Sequence, residues 1–511
     1  MREKGKFLLG GNSQGWDSLN RPLAVVESFP FEMFGKECMF LRSRRWLWTA
    51  TISIFHALVQ ALHGQSVASS PTPVPSSTAV QPASEPDEWK VEGPTLEQQQ
   101  APANQEPETG VAPESPSEQE PGWSGGLANP GNGPEFEIPP DQLPVDPRSF
   151  GLKYTIGPID IRPTMSFSTT FNDNILASTT NQKRDIIYTI APGATFGLGD
   201  YVQKQYNYFT LQYVPTLNLY NHFSTLNSLD QHLRIDGQWG MERLKLSAYF
   251  GYDKAFGGNR DIGGLVNSEY YTMGAAAKYL LNEQISFEAL GDQTFSDYGS
   301  SGIGSREFVN HEYVNYAFTP KLTASVGAAF GILQPYVGGT QTYEQGLFRL
   351  QFVSTNKLNF TGNFGFDYRQ FPSGAGARFT PVFNLTANYL IFPGTTLTLN
   401  GGRNVTYSPS VLGSNYTATN VIFGINQHVI GNLSVGMSVG FENDSYFFVS
   451  GAQNGAVNRE DNYITLSPSL TYQWNDWASI SVSYLYRDNQ SNAPARSFYN
   501  NQVSVGVHIG F

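Results

Sequence analysis

The sequence predicts an all-β protein: a transmembrane antiparallel up-and-down β-barrel of about 18 strands (16–18), with short turns at one end and longer loops at the other. Three observations predict it. From Gly157 onward apolar residues recur at every second position. Turn signals return at hairpin spacing, with short and long connections alternating. The polar face of the alternation carries Ser, Thr, Asn and Gly, where a soluble sheet would carry Lys and Glu. Composition agrees. Charged residues are 14% of the 511, against about 25% in an ordinary globular chain. The single cysteine, Cys38, excludes a disulfide scaffold and any multi-cysteine zinc site. A net charge of −12 disfavours the basic footprint of nucleic-acid binding.

The first 150 residues follow different physics. All 27 Tyr lie beyond them, the first being Tyr154. From Met39, three arginines (Arg42, Arg44, Arg45) precede an apolar core from Trp46 to Leu62, and Ser66-Val67-Ala68 supplies small residues for cleavage. This order reads as a secretory signal peptide over 39–68. A membrane anchor is the alternative, but Thr49, Thr51, Ser53, His56 and Gln60 interrupt the apolar run that spanning requires. Residues 1–38 resemble no signal region and read as an extension ahead of a true start at Met39. Residues 69–150 are rich in proline and acid: between Gln65 and Phe150 there are 14 acidic and two basic side chains. Such a segment buries too little apolar surface to offset its ordering entropy, so it reads as a disordered periplasmic tether. A plug or a cell-wall contact arm is the alternative.

Each strand of the barrel region has one apolar and one polar or small face. Leu433, Val435, Met437, Val439 and Phe441 alternate with Ser434, Gly436, Ser438, Gly440 and Glu442, and Leu322 to Phe330 and Val503 to Phe511 do the same. That pattern suits lipid outside and water inside. Short turns fall at Gly199-Asp200, Glu242-Arg243, Asn282-Glu283, Pro320-Lys321, Asn356-Lys357, Pro393-Gly394, Gly431-Asn432 and Asn475-Asp476, one hairpin for roughly every 36 to 45 residues. Nine longer loops lie between them, among them Asn172–Lys183, Asp253–Val266, Asp297–Ser305, Glu442–Asn458 and Asp488–Arg496. Eight turns and nine loops join eighteen strands, with Arg306–Thr319 the weakest of them. Aromatic residues are expected at headgroup depth: Tyr201, Phe318, Phe392, Trp474 and Trp477 by the turns, and Phe171, Phe371, Tyr407, Tyr416, Phe447, Tyr486 and Phe498 by the loops. Pro163, Pro192, Pro215, Pro381 and Pro468 fall inside strands, which predicts β-bulges or locally strained pairing there, the alternative being that these strands end early.

The opening Gly157-Pro158-Ile159-Asp160-Ile161-Arg162-Pro163-Thr164-Met165-Ser166-Phe167, with Phe171-Asn172-Asp173-Asn174-Ile175, resembles the second family of β-barrel porins of Gram-negative bacteria. The resemblance covers residues 151–511 in architecture, and only this opening is motif-like. It implies an integral outer-membrane barrel surrounded by outer-membrane lipid. The terminal Phe511 after an alternating strand is similar to the signal by which the barrel-assembly machinery recognises its clients.

Chemistry is sparse. The barrel's histidines (His222, His232, His311, His428, His508) accompany no HExxH motif, cysteine pair or phosphate loop, so no enzyme, cofactor or metal is expected. His222 and Ser224 have the spacing of an outer-membrane lipase pair, a minor alternative. The candidate functional residues are charges expected on inward faces: Asp160, Arg162, Arg234, Asp236, Lys245, Asp253, Glu288, Asp292, Arg349, Asp367, Arg369 and Arg487. Charges lining an aqueous pore orient polar solutes, so the expectation is passive diffusion of small hydrophilic solutes. Six of these residues are basic and six acidic, which predicts weak cation preference at most. The alternative is a structural or secretion-linked barrel whose loops or tether bind peptidoglycan or exported polysaccharide.

Overall fold

The computed structural model describes residues 154–510 apart from positions 203, 205–206, 300–302, 355–356, 373–375, 411–413 and 449–458. The regions 1–38, 39–68 and 69–150, and the terminal Phe511, lie outside the described residues.

Nineteen strands account for nearly all of the described chain. The first six are β1 (Tyr154–Ile156), β2 (Ile159–Asn172), β3 (Asp185–Gly199), β4 (Tyr208–Tyr220), β5 (Ser228–Gly240) and β6 (Leu244–Asn259). Then come β7 (Gly264–Leu280), β8 (Ile285–Asp297), β9 (Gly304–Thr319), β10 (Leu322–Pro335), β11 (Gln341–Ser354) and β12 (Leu358–Gln370). The last are β13 (Ala377–Phe392), β14 (Thr395–Tyr407), β15 (Ser414–Ile430), β16 (Leu433–Phe448), β17 (Glu460–Asn475), β18 (Ala478–Ser491) and β19 (Phe498–Gly510). Each of β2 to β18 pairs antiparallel with the next, and β19 returns to β2 from Gln502↔Asn172 to Gly510↔Thr164. The result is a closed barrel of eighteen strands, as the alternation predicts, and the weak stretch Arg306–Thr319 forms β9 without interruption. Strand β1 is additional: β19 stops opposite Thr164, and β1 folds back to pair with Ile159–Ile161 below it.

The outer face is apolar. Phe167, Phe196, Val326, Phe348, Phe364, Val439 and Val505 all point outward and are well exposed. The inner face holds the buried polar residues, among them Thr189, Asn315, Ser325, Asp367 and Ser504. Closure leaves no sheet edge, which is what a barrel in hydrocarbon requires. The eight connections at the β1 end are short, and all but 200–207 have four residues or fewer.

The prolines lie where a ladder is missing. Pairing of β3 with β4 runs to Ile190↔Leu217 and resumes at Ala194↔Tyr213, leaving Pro192 opposite Pro215 in the gap. Pairing of β17 with β18 skips from Leu466↔Tyr486 to Ser469↔Ser483, beside Pro468. Pro163 lies just below Gly510↔Thr164, the last rung between β19 and β2 among the described residues. Pro381 lies just above Phe383↔Arg403, where the β13–β14 ladder stops although both strands continue. A residue without an N–H is tolerated where no rung needs one.

Above that last rung, β14 to β16 turn into the barrel. Asn415 and Thr417 of β15 belong to the outward-facing set, yet their exposures are 0% and 2%. Asn415 exchanges amide hydrogen bonds of 2.8 and 3.0 Å with Gln341, an inner-face residue of β11 four strands away. Phe447, on the outer face of β16, lies under the guanidinium of Arg378 from the inner face of β13, 3.9 Å from the ring centroid. The upper part of these strands therefore lies on the lumen side of β11–β13.

This arrangement corrects several expectations. Tyr407, Tyr416 and Phe498 are buried, not at the lipid interface, and Tyr201 folds inward from its turn beneath Arg162. The stretch Asp253–Val266 is no loop: β6 and β7 extend through it and leave a four-residue tip, 260–263. For the three tyrosines the reason is that Tyr is compatible with lipid interface and polar interior alike, so its sequence position does not choose between them.

In a Cys38→Ser background, the pair Gln341→Cys and Asn415→Cys is expected to be joined by a short bifunctional thiol reagent in the membrane-inserted protein. Unlinked chains on denaturing gels would place β15 back in a round wall.

Candidate functional site: the polar lumen

Twelve charged residues expected inside stand on inner-face positions of their strands. Arg162 donates from Nε to the Tyr201 hydroxyl (2.8 Å), which donates in turn to Asp160 (3.2 Å). Burial lifts the Tyr201 hydroxyl above its ordinary pKa, so it stays protonated and can pass this bond on. Arg234 pairs with Asp236 at 3.3 Å. Asp253 binds His232, not Lys245, and Lys245 stands opposite Lys278 on β7. Asp292 accepts from the Tyr249 hydroxyl at 2.6 Å, and Arg487 donates to Asn500 at 3.1 and 2.8 Å.

The wall β8–β12 carries two layered stacks. Tyr313 lies flat against Gly327, and Arg349 covers its ring at 4.0 Å while holding Glu288 through two bonds of 2.9 and 2.7 Å. One row away Tyr343 lies against Gly331, and Arg369 covers it at 4.2 Å beside Asp367. At Gly327 and Gly331 any β-carbon would strike the ring, so only glycine lets the tyrosine lie flat. Several inner-face polar atoms of this wall are buried without a partner among the described residues: both ring nitrogens of His311, Ser325 Oγ, Gln345 Oε1 and Arg349 Nε. Groups of this kind call for water or a polar solute.

Opposite this wall, the β6–β7 tip crosses to the in-turned strands. Arg260 binds Glu442 and Asp444 of β16, the latter at 2.8 Å, and its guanidinium lies 4.4 Å from the ring centroid of Tyr463. Asp261, 9% exposed, accepts from Ser408 Oγ (2.8 Å), Ser410 Oγ (2.6 Å), Tyr446 Oη (3.0 Å) and Arg459 Nη1 (2.8 Å). Arg459 also grips Asp461. Burial works against the Arg459 charge, but the bonds to Asp461 and the field of Asp261 outweigh it, so the guanidinium is more firmly protonated than usual. Asp261 thus ties four inward segments together: the β6–β7 tip, the β14–β15 tip, β16 through Tyr446, and Arg459 just ahead of β17. The sequence shows no sign of this knot. Asp261 and Arg459 are 198 positions apart, and loop charges of both signs read as solvated.

The His222–Ser224 spacing resolves into a loop clamp. His222 Nδ1 lies 2.9 Å from Asp185, whose carboxylate also accepts the backbone N–H groups of Ile186, His222 and Phe223. Ser224 begins a short 3-10 turn, and its hydroxyl makes no bond to His222 among the described residues.

The model of the family described as "Putative beta-barrel porin 2" matches residues 381–511. Among curated proteins none matches the chain in sequence. Similar solved structures include three from Pseudomonas aeruginosa. OpdL is 11% identical, with a TM-score of 0.38 over 70% of this chain and 99% of its own. OpdK with vanillate is 10% identical, with a TM-score of 0.39 over 69% and 99%. OccK2 (OpdF) in complex with glucuronate is 10% identical, with a TM-score of 0.39 over 69% and 98%.

Asp261→Ala is expected to release the knot. Removing one partner of a buried, hydrogen-bonded pair costs roughly 3–5 kcal/mol, so amide exchange over 259–263 should accelerate by at least two orders of magnitude while the strands of β2–β5 stay protected. Unchanged protection at the tip would refute the role given to Asp261.

Proposed function

We propose that the chain is an outer-membrane channel of the porin kind, passing small hydrophilic solutes by diffusion through a lumen narrowed by its own strands. The observation that carries this reading is the closed eighteen-strand barrel with an apolar exterior and an inner face charged in both signs. The family match over the last strands points the same way. The twelve inner charges would line the path, with the β8–β12 wall and its unpartnered polar atoms as its wettest part. Most of these arginines carry a carboxylate or amide partner, so no one-signed ring arises to impose strong ion selectivity. The signal peptide and tether would deliver the barrel and hold residues 69–150 on the periplasmic side.

A second reading is favoured by one observation. The in-turned β14–β16 and the β6–β7 tip meet across the lumen, which suits a structural or secretion-linked barrel with little resting conductance. Planar-bilayer recordings separate the two. The channel reading expects discrete, small conductance steps in the wild type, a near-zero reversal potential shift toward the cation side, and larger steps in Asp261→Ala. A folded, inserted protein that never conducts, in either form, rejects it.

A further inference from the structure

Strand β9 carries a carboxylate on the lipid side of the wall. Exposure alternates along it: His311, Tyr313 and Asn315 are buried toward the lumen, while Phe308, Val314, Tyr316 and Phe318 are exposed outside. Asn310 and Glu312 belong to the outer set, near the middle of this sixteen-residue strand. Outward charges elsewhere stand nearer strand ends or in pairs: Arg306 and Glu344 at the loop ends of β9 and β11, and Lys254 with Glu269 at 2.8 Å. Glu312 has no cation partner among the described residues. Asn310 Nδ2 donates to its Oε1 at 2.9 Å, the one side-chain hydrogen bond either residue makes among the described residues. A carboxylate facing hydrocarbon is unfavourable unless donors reach it, and an ionisable group in that position marks a contact.

The neighbouring outward positions are small. Glu312 lies opposite Ala289 of β8 and Ala328 of β10, and the same rung continues to Ala277 of β7 and Gly346 of β11. Asn310 lies opposite Gly291. Toward the short-turn end the next outward rung is bulky and exposed: Phe287, Val314, Val326 and Phe348. The polar pair thus stands on the floor of a shallow trough in the wall. A β-carbon at Gly346 would meet nothing within 4 Å, and one at Gly291 only Asn310 Oδ1 at 3.8 Å. Packing within this chain therefore does not call for glycine at either position. Glycine in a strand is of use where a second surface comes close.

We propose that this face of β7–β11 is the contact through which two copies of the chain associate side by side in the membrane, about a twofold axis near Asn310 and Glu312. The polar pair selects the occupant. An acyl chain offers no donor, and lipid phosphates are anionic and lie at the rims of the wall, away from mid-strand. An asparagine amide has two N–H donors, and a carboxylate accepts several. One N–H of Asn310 is used within the chain, so the second is available to the Glu312 of another copy. A twofold axis makes the exchange reciprocal, which is the self-complementarity an isologous contact requires. The small side chains of the trough let two walls approach closely enough for both bonds. Association needs the barrel in a membrane and does not depend on its conducting.

Sedimentation of the full chain in density-matched detergent is expected to show a dimer. In a Cys38→Ser background, Ala289→Cys and Ala328→Cys, each alone, are expected to give crosslinked dimers with a short bifunctional thiol reagent in native membranes. Val505→Cys on β19 is expected to give none. Asn310→Leu/Glu312→Leu leaves the wall apolar and should lower the association constant about tenfold or more, the worth of a lost charge-assisted bond, and abolish the crosslinks. Glu312→Gln keeps an acceptor and should retain part of the association. Heat-modified gel mobility verifies that each variant folds; if the double variant does not, Glu312→Leu alone serves. Crosslinking in membranes that the Leu variant abolishes supports the contact even where detergent separates the copies. A wild type that is monomeric in detergent and gives no crosslink at either position overturns the proposal. So does a dimer equally stable in the Leu variant, and so do adducts of Ala289→Cys with a different protein in place of a dimer.

Discussion

Every backbone N–H and C=O within hydrocarbon must find a partner inside the protein, because no water is there to supply one. The closed ladder from β2 round to β19 meets that demand, and the other features of the fold are ways of living with it. The alternation of side chains follows from the pleat once the ladder is closed. The bulges beside Leu322, Leu390, His428 and Gln473 all fall at the short-turn end, where a strand can lose a rung at the membrane edge without exposing it to lipid tails. The prolines occupy positions that have already lost one.

The break above Phe383↔Arg403 is the most consequential departure. A wall that stops pairing must find other partners for its strands, and β14–β16 find theirs inside the barrel. Their outer face, unusually polar for a lipid-facing surface with Asn415, Thr417 and Thr419, then packs against Gln341 and Arg378. Their inner face offers Tyr446, Glu442 and Asp444 to the β6–β7 tip. One lost ladder thus lets the upper parts of β14–β16 narrow the lumen.

The barrel itself was legible in the sequence because a period of two, sustained over residues 157–510, has no other stable expression at this length and polarity. Strand number followed from turn chemistry at positions such as Pro393-Gly394 and Gly431-Asn432. The in-turned strands were not legible, although one signal was present: the outward positions of upper β15 are Asn and Thr where those of β12 are Phe364, Phe366 and Tyr368. The knot at Asp261 was invisible for a different reason. Its bonds join residues of four distant segments, and nothing local distinguishes an acid at a crossing point from one in solvent. The stacks on β8–β12 lie between these extremes, since inward Gly and Tyr on adjacent strands hint at contact but fix no register.

The short strand β1 has a mechanical meaning. It completes the wall below Thr164 with only three pairs, Tyr154↔Ile161 to Ile156↔Ile159, while the seam between β19 and β2 has nine. The first and last described strands therefore meet at one seam, but a pull on the polypeptide ahead of Tyr154 loads β1 first. An antiparallel hairpin pulled from its free end opens rung by rung. Those three rungs act as a fuse: they peel and re-form under tension before force reaches the rungs that keep the cylinder shut.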